Sequence, residues 1–148
     1  MNEPITISMK TGGQWLVSPV GDTTIFCRES FTDDHKDIEN MVLEFAKERI
    51  LPNVVAIDKL DKGLSLSILR EMGELGLIGV DAPEEYGGTE LDKITSCIVT
   101  EGVSRGGSAS FSCTFGVQTG IGSMGIVFFG TPEQKKKYLP KLMTGEWV

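Results

Sequence analysis

Thr32-Asp-Asp-His-Lys-Asp-Ile-Glu-Asn-Met-Val-Leu-Glu-Phe-Ala-Lys-Glu-Arg-Ile-Leu-Pro52 is the stretch that decides the fold class. Ile38, Met41, Val42, Phe45 and Ile50 fall at helical spacing with Lys, Glu and Asp between them, the pattern of a helix with one apolar face. Thr32 offers a hydroxyl to a first-turn amide, and Asp33 and Asp34 suit the positive end of the helix dipole. Pro52 has no amide hydrogen to donate, so it breaks, kinks or restarts this helix.

The same signals recur downstream. Ser65 reads as the cap of a second helix, with Leu64 and Leu69 stapled across it. That helix should run to about Leu75, with Gly76 in the left-handed position and Leu77 packing back on Met72. Residues 77–88 read as a connection punctuated by Pro83 and Gly87-Gly88. Asp92 can cap a third helix carrying Ile94, Cys97, Ile98 and Val99, with Glu101 and Arg105 paired at i,i+4, until Gly106-Gly107 interrupts it. Residues 108–122 are rich in small side chains at near-helical spacing, and a separate short helix is expected over 126–129. Gly130 ends it, Thr131 caps the last helix with Pro132 at its first position, and Pro140 and Gly145 divide that helix's end. The expectation is an all-α, small helical bundle over residues 31–148. An irregular arm over 1–30 precedes it, with Trp15-Leu16-Val17 as the docking point.

Composition narrows the partners. Fourteen basic against 21 acidic residues give a net charge of −7, which disfavours nucleic acid and anionic membrane surfaces. The run Lys135-Lys136-Lys137 is expected on a solvated helix face. Cys27, Cys97 and Cys113 have no Cys-x-x-Cys spacing and are odd in number, so they read as reduced thiols. His35 is the only histidine, which leaves neither a histidine metal site nor a Ser-His-Asp triad. No uninterrupted apolar run has membrane-spanning length, and no signal or transit peptide is recognisable; a cytoplasmic location is expected.

Two patterns resemble chemistry. Gly120-Ile-Gly-Ser-Met-Gly125 matches G-x-G-x-x-G, but a phosphate loop needs a strand before it and a βαβ frame around it, and neither is visible. The alternative is close approach: glycines 116, 120, 122 and 125 each sacrifice about 0.5–1 kcal/mol of helix stability relative to alanine, so another backbone or a ligand should fill the space. Glu84 and Glu85 are adjacent, do not face one another and lie in a loop, so they make a poor acid–base pair; Glu101 reads as an ion-pair residue.

Glu74-Leu-Gly-Leu-Ile-Gly-Val-Asp-Ala-Pro-Glu-Glu-Tyr-Gly-Gly88 and Gly130-Thr-Pro-Glu-Gln-Lys-Lys-Lys-Tyr-Leu-Pro-Lys-Leu-Met-Thr-Gly145 come in an order that resembles the amino-terminal domain of acyl-CoA dehydrogenases. Phe31-Thr32, the segment from Phe45 to Pro52 and Gly116-Val-Gln-Thr119 add to the resemblance, which covers roughly residues 28–148. Gly12-Gly13-Gln14-Trp15-Leu16 is similar to the lead-in of the very-long-chain-like branch. The resemblance implies α,β-dehydrogenation of medium-to-long-chain acyl-CoA to trans-2-enoyl-CoA, with a glutamate base and FAD as hydride acceptor. It places the base and the flavin-contacting Thr-Glu-Pro segment beyond Val148, so no catalytic or cofactor ligand is carried onto this chain. An isolated chain is accordingly expected to be inactive and not to bind FAD tightly.

Two roles remain by resemblance. Phe111, Phe115, Gln118, Thr119, Gly122 and Gly125 match one wall of the acyl cavity, where a glycine pair such as Gly122 and Gly125 deepens it for long chains. Ile38, Phe45, Leu77, Leu91 and Val99 match a pocket that docks the electron-transferring flavoprotein, with Thr89 where leucine is common. Read without the family, those five are interhelical core. The full-length enzyme is expected to be a homo-oligomer. The alternative from another class is a stand-alone helical interaction module without catalytic activity.

Overall fold

The computed structural model describes residues 26–148, so the expected arm and its Trp15-Leu16-Val17 docking point lie outside the described residues. The chain divides into two units between Thr32 and Asp33. The described end of the first unit holds a 3-10 turn, Arg28–Ser30, with the Arg28 guanidinium 5.5 Å from the centre of the Phe31 ring.

The second unit is helical, and the described residues contain no strand. Helix α1 (Asp33–Phe45) passes directly into a π-helical turn, Ala46–Ile50, and then a 3-10 turn, Leu51–Asn53. Pro52 therefore restarts the chain: α2 (Val54–Asp58) begins after Asn53, whose side-chain amide donates to the Arg49 carbonyl at 2.9 Å. This short helix ends in a Schellman turn. Leu60 sits in the left-handed region (φ 65°), its amide bonds Ile57 O at 2.8 Å, and the Asp61 amide reaches Ala56 O at 3.1 Å. Glycine is usual at that position, and a residue with a side chain there costs about 1–2 kcal/mol.

Helix α3 (Lys62–Glu74) starts three residues before the expected Ser65 cap. Asp61 is the cap and accepts from the Leu64 amide at 3.0 Å, while the Ser65 hydroxyl donates to the Asp61 carbonyl. The rule that prefers Asp or Ser at this place did not distinguish two candidates four residues apart. The end of α3 matches expectation: Gly76 has φ 74°, and buried Leu77 bonds back to Met72 O at 2.9 Å.

Helix α4 (Lys93–Ser104) is capped by Asp92, carries the Glu101–Arg105 pair at 2.6 Å, and ends before Gly107 (φ 82°). It runs parallel to α1, because His35 meets Asp92 at one end and Val42 meets Gly102 further along. A Cβ at Gly102 would collide with the Val42 side chain, and one at Gly106 would lie 2.6 Å from Ile50 Cγ2. Close approach is thus real in this bundle, but at Gly102 and Gly106.

Helices α5 (Ala109–Gly116) and α6 (Ser123–Phe129) are the two ends of one continuous helix joined by a π-helical segment, Val117–Gly122. The short helix expected over 126–129 is present within α6, but it is not separate: it continues from the residues before it, and the glycines lie inside the continuous helix. Ser123 Oγ donates to Gln118 O at 2.6 Å, occupying a carbonyl that the wider π turn loosens. Helix α7 (Pro132–Met143) opens on a full capping box between Thr131 and Gln134 and continues through Pro140 without dividing, up to Gly145 at φ 68°.

Two apolar clusters hold the helices. The larger joins Val42, Phe45 and Ile50 to Ile68, Leu69, Met72, Val99, Val103, Phe111 and Phe115. The smaller joins Ala82 and Tyr86 of the connection to Val127, Leu139 and Met143. Substituting Gly102→Ala should lower stability by about 1–3 kcal/mol through overpacking against Val42, whereas Gly125→Ala, which meets nothing within 4 Å, should raise it by up to about 1 kcal/mol. Urea unfolding of the two variants beside the parent chain measures both.

Candidate functional site

The outward side of the Ala109–Phe129 helix carries a row of exposed apolar side chains. Val117, Ile121, Gly125 and Phe128 recur at helical spacing on that side, and Phe129 flanks them; Ile121 is 80% exposed and Phe129 87%. Glycines 116, 120 and 125 have nothing within 4 Å of where a Cβ would sit, and Gly122 has only its own helix's Val117 carbonyl at 3.2 Å. The expected close packing at these glycines is therefore not made by the described residues. What the glycines create is a bare face with a notch between Ile121 and Phe128.

Averaged over its length, this helix is apolar enough to cross a membrane, which a search for uninterrupted apolar runs does not reveal. Its other side is that of a bundle helix. Buried Gln118 donates its side-chain amide to Leu142 O at 3.0 Å and Trp147 O at 2.9 Å, tying the π segment to the end of α7. The G-x-G-x-x-G stretch lies wholly within this helix, so it forms no phosphate turn.

The six residues matched to the acyl wall do not share one side. Phe111 and Phe115 are buried in the larger core and Gln118 faces α7, while Gly122 and Gly125 face out. Half-buried Thr119 returns its hydroxyl to Phe115 O at 3.0 Å. The sequence reading missed Val117, Ile121, Phe128 and Phe129. Their spacing was readable, but the π turn shifts the register that a regular period assumes.

Of the residues matched to acceptor docking, Phe45, Leu77 and Val99 are buried in the larger cluster and Ile38 packs against it. Leu91 alone is exposed, at 44%. Beside it, buried His35 meets Asp92 at 3.0 Å through Nε2, a hydrogen-bonded clasp that joins the amino-terminal ends of α1 and α4. Asp92 also accepts from the Thr95 amide and hydroxyl, each at 2.8 Å. The Thr95 amide is the chief cause holding its carboxyl below the usual range, with the Thr95 hydroxyl and His35 adding to it. The described residues contain no cluster of His, Cys, Asp or Glu suited to a metal, and all three cysteines, scattered at 27, 97 and 113, are exposed.

The all-helical fold is that of an acyl-CoA dehydrogenase amino-terminal domain. Residues 32–146 match the family model described as "Acyl-CoA dehydrogenase, N-terminal domain", and the chain belongs to that family. It is 46% identical over 140 residues to a probable acyl-CoA dehydrogenase of Bacillus subtilis, an alignment covering 95% of this chain and 23% of that protein. It is 39% identical to a mitochondrial isovaleryl-CoA dehydrogenase of Solanum tuberosum over 80% of this chain and 29% of that protein. The crystal structure of a Bacillus anthracis acyl-CoA dehydrogenase complexed with FAD superposes with a TM-score of 0.84 at 44% identity, covering 91% of this chain and 23% of that one. The chain thus spans about a quarter of the length of these relatives.

The clasp sets a direction for acid stability. Because the folded state lowers the Asp92 carboxyl, its contribution is complete above the ordinary Asp value of about 3.9 and fades as pH falls through the folded value. Asp92→Ala should cost about 1 kcal/mol near pH 7, as loss of a helix cap does, and the deficit should shrink below pH 4. Urea midpoints of parent and variant between pH 3 and pH 7 measure it.

Proposed function

We propose that the chain is the amino-terminal helical domain of a FAD-dependent acyl-CoA dehydrogenase of the very-long-chain-like branch, working in the cytoplasm on medium-to-long-chain acyl-CoA. The observation that carries this reading is the bare face of the Ala109–Phe129 helix, apolar and notched by Gly122 and Gly125. An apolar face of this size left open to water is unfavourable, which supports cover by an acyl chain and by further parts of a longer protein. Phe111, Phe115 and Gln118 serve from behind: two core aromatics and a tied amide hold the helix, and with it the notch, in place. Thr119 fastens the same segment.

The flavin, when bound, supplies hydride acceptance. We assign it no ligand here, because the described residues do not fit it. Their apolar cavity of about 230 Å³, between α2, α3 and α5, is smaller than the roughly 300–1,000 Å³ of ordinary ligand pockets. No phosphate turn accompanies it, and a separate 148-residue chain should therefore be inactive. For the electron-transferring flavoprotein we propose a docking surface centred on exposed Leu91 with Ile38 beside it, backed by Phe45, Leu77 and Val99 as core.

The decisive experiment uses the full-length enzyme with Gly125→Phe. Filling the notch should lower kcat/KM for palmitoyl-CoA by about tenfold or more and leave octanoyl-CoA much less affected. A parent enzyme that already prefers octanoyl-CoA strongly, or a variant that loses both substrates equally, would overturn the chain-length reading.

A further inference from the structure

The cavity between α2, α3 and α5 is separate from the bare face: none of its walls comes from Val117, Ile121, Gly125 or Phe128. Ile57, Leu66, Leu69 and Phe111 make its apolar interior, and Leu60 and Lys62 form an exposed lip. At about 230 Å³ it is larger than the roughly 150 Å³ void that takes up benzene.

Two features of the lip point to a guest. Leu60 occupies the left-handed position of the Schellman turn, where glycine would be unstrained, and its side chain is 75% exposed while bordering the cavity. An apolar side chain held at a strained position and left in water gains most when something covers it. The second feature is the state of the polar rim. The hydroxyls of Ser65, Ser110 and Thr114 already donate, to Asp61 O, Asp58 Oδ1 and Ser110 O respectively. Asp61 and Asp58 accept from the Leu64 amide and from Ser108 and Ser110. Lys62 is the one charged side chain in the lining, and among the described residues no carboxylate lies within ion-pair distance of it. The rim therefore offers a cationic donor and no unengaged hydroxyl hydrogen.

We infer that the cavity binds a small amphiphile, a medium-chain carboxylate, with its hydrocarbon tail against Ile57, Leu69 and Phe111, Leu60 covering it, and its carboxylate on Lys62. This site shares Phe111 with the residues matched to the acyl wall but does not rest on the reading given to that wall.

The test is titration of the 148-residue chain with octanoate, octan-1-ol and octylammonium, followed by the methyl NMR signals of Ile57, Leu60, Leu66, Leu69 and Ile121. Saturable shifts at the first four and not at Ile121 are expected, with octanoate binding tightest and octylammonium weakest. Lys62→Gln should bring octanoate to the level of octan-1-ol, a loss of about three- to fivefold, as for an exposed ion pair. Leu60→Gly should raise the melting temperature of the free chain yet weaken binding about tenfold. A merely structural Leu60 would not produce that opposition. The inference is overturned by shifts centred on Ile121, by binding indifferent to the headgroup, by unchanged affinity in Leu60→Gly, or by no saturation at millimolar ligand.

Discussion

The contact of α1 with α4 is the constraint on which the bundle depends. Val42 and Ile50 descend into spaces that exist only because residues 102 and 106 are glycines, so the two helices lie closer than side chains would allow. That nearness brings Phe45, Val99 and Val103 into one cluster with α3 and with Phe111 and Phe115 of the long helix. The anchoring of those two aromatics is what turns the remaining side of the long helix outward. The bare face at residues 117–128 is thus linked to two glycines outside that helix, Gly102 in α4 and Gly106 just past its end.

Much of this was legible in the sequence wherever the signal was local. Asp92, Thr131 with Gln134, Gly76, Gly107 and Gly145 act as a capping side chain or a left-handed glycine acts in isolation, and each sits where its chemistry indicates. The start of α3 was misplaced because Asp61 and Ser65 are both competent caps and only packing chooses between them. The glycines were the harder case. A glycine reports that a side chain is absent, but not whether a neighbour has moved into the space. Gly102 drew no attention and Gly106 was read only as a helix interruption, yet both carry close approaches between helices, while Gly116, Gly120 and Gly125 were read as close-approach sites and stand open.

The candidate site was legible as a region and not as a set of side chains. Residues 108–125 were recognised by family likeness, yet the face that matters depends on the π segment Val117–Gly122, for which no sequence period is a reliable sign. Phe111 and Gly125 were named together although they lie on different sides. The docking residues raise the same problem in reverse: Phe45, Leu77 and Val99 are apolar for the sake of the core, and only Leu91 has a surface to offer.

The π segment has a further consequence for how such a domain changes over evolutionary time. A π turn holds one residue more than regular helix requires, so a single-residue deletion anywhere in Val117–Gly122 could be absorbed as ordinary α-helix without breaking the chain's path. The residues beyond it would keep their orientation, because the wider π turn already takes up its extra residue without advancing the helix that follows. Such a deletion would leave Gly125 and Phe128 facing outward and Phe111 and Phe115 anchored, and would change only which side chains of residues 117–122 lie between them. The helix thereby holds a one-codon route to a different middle segment, open to selection without any change in the orientation of its two ends.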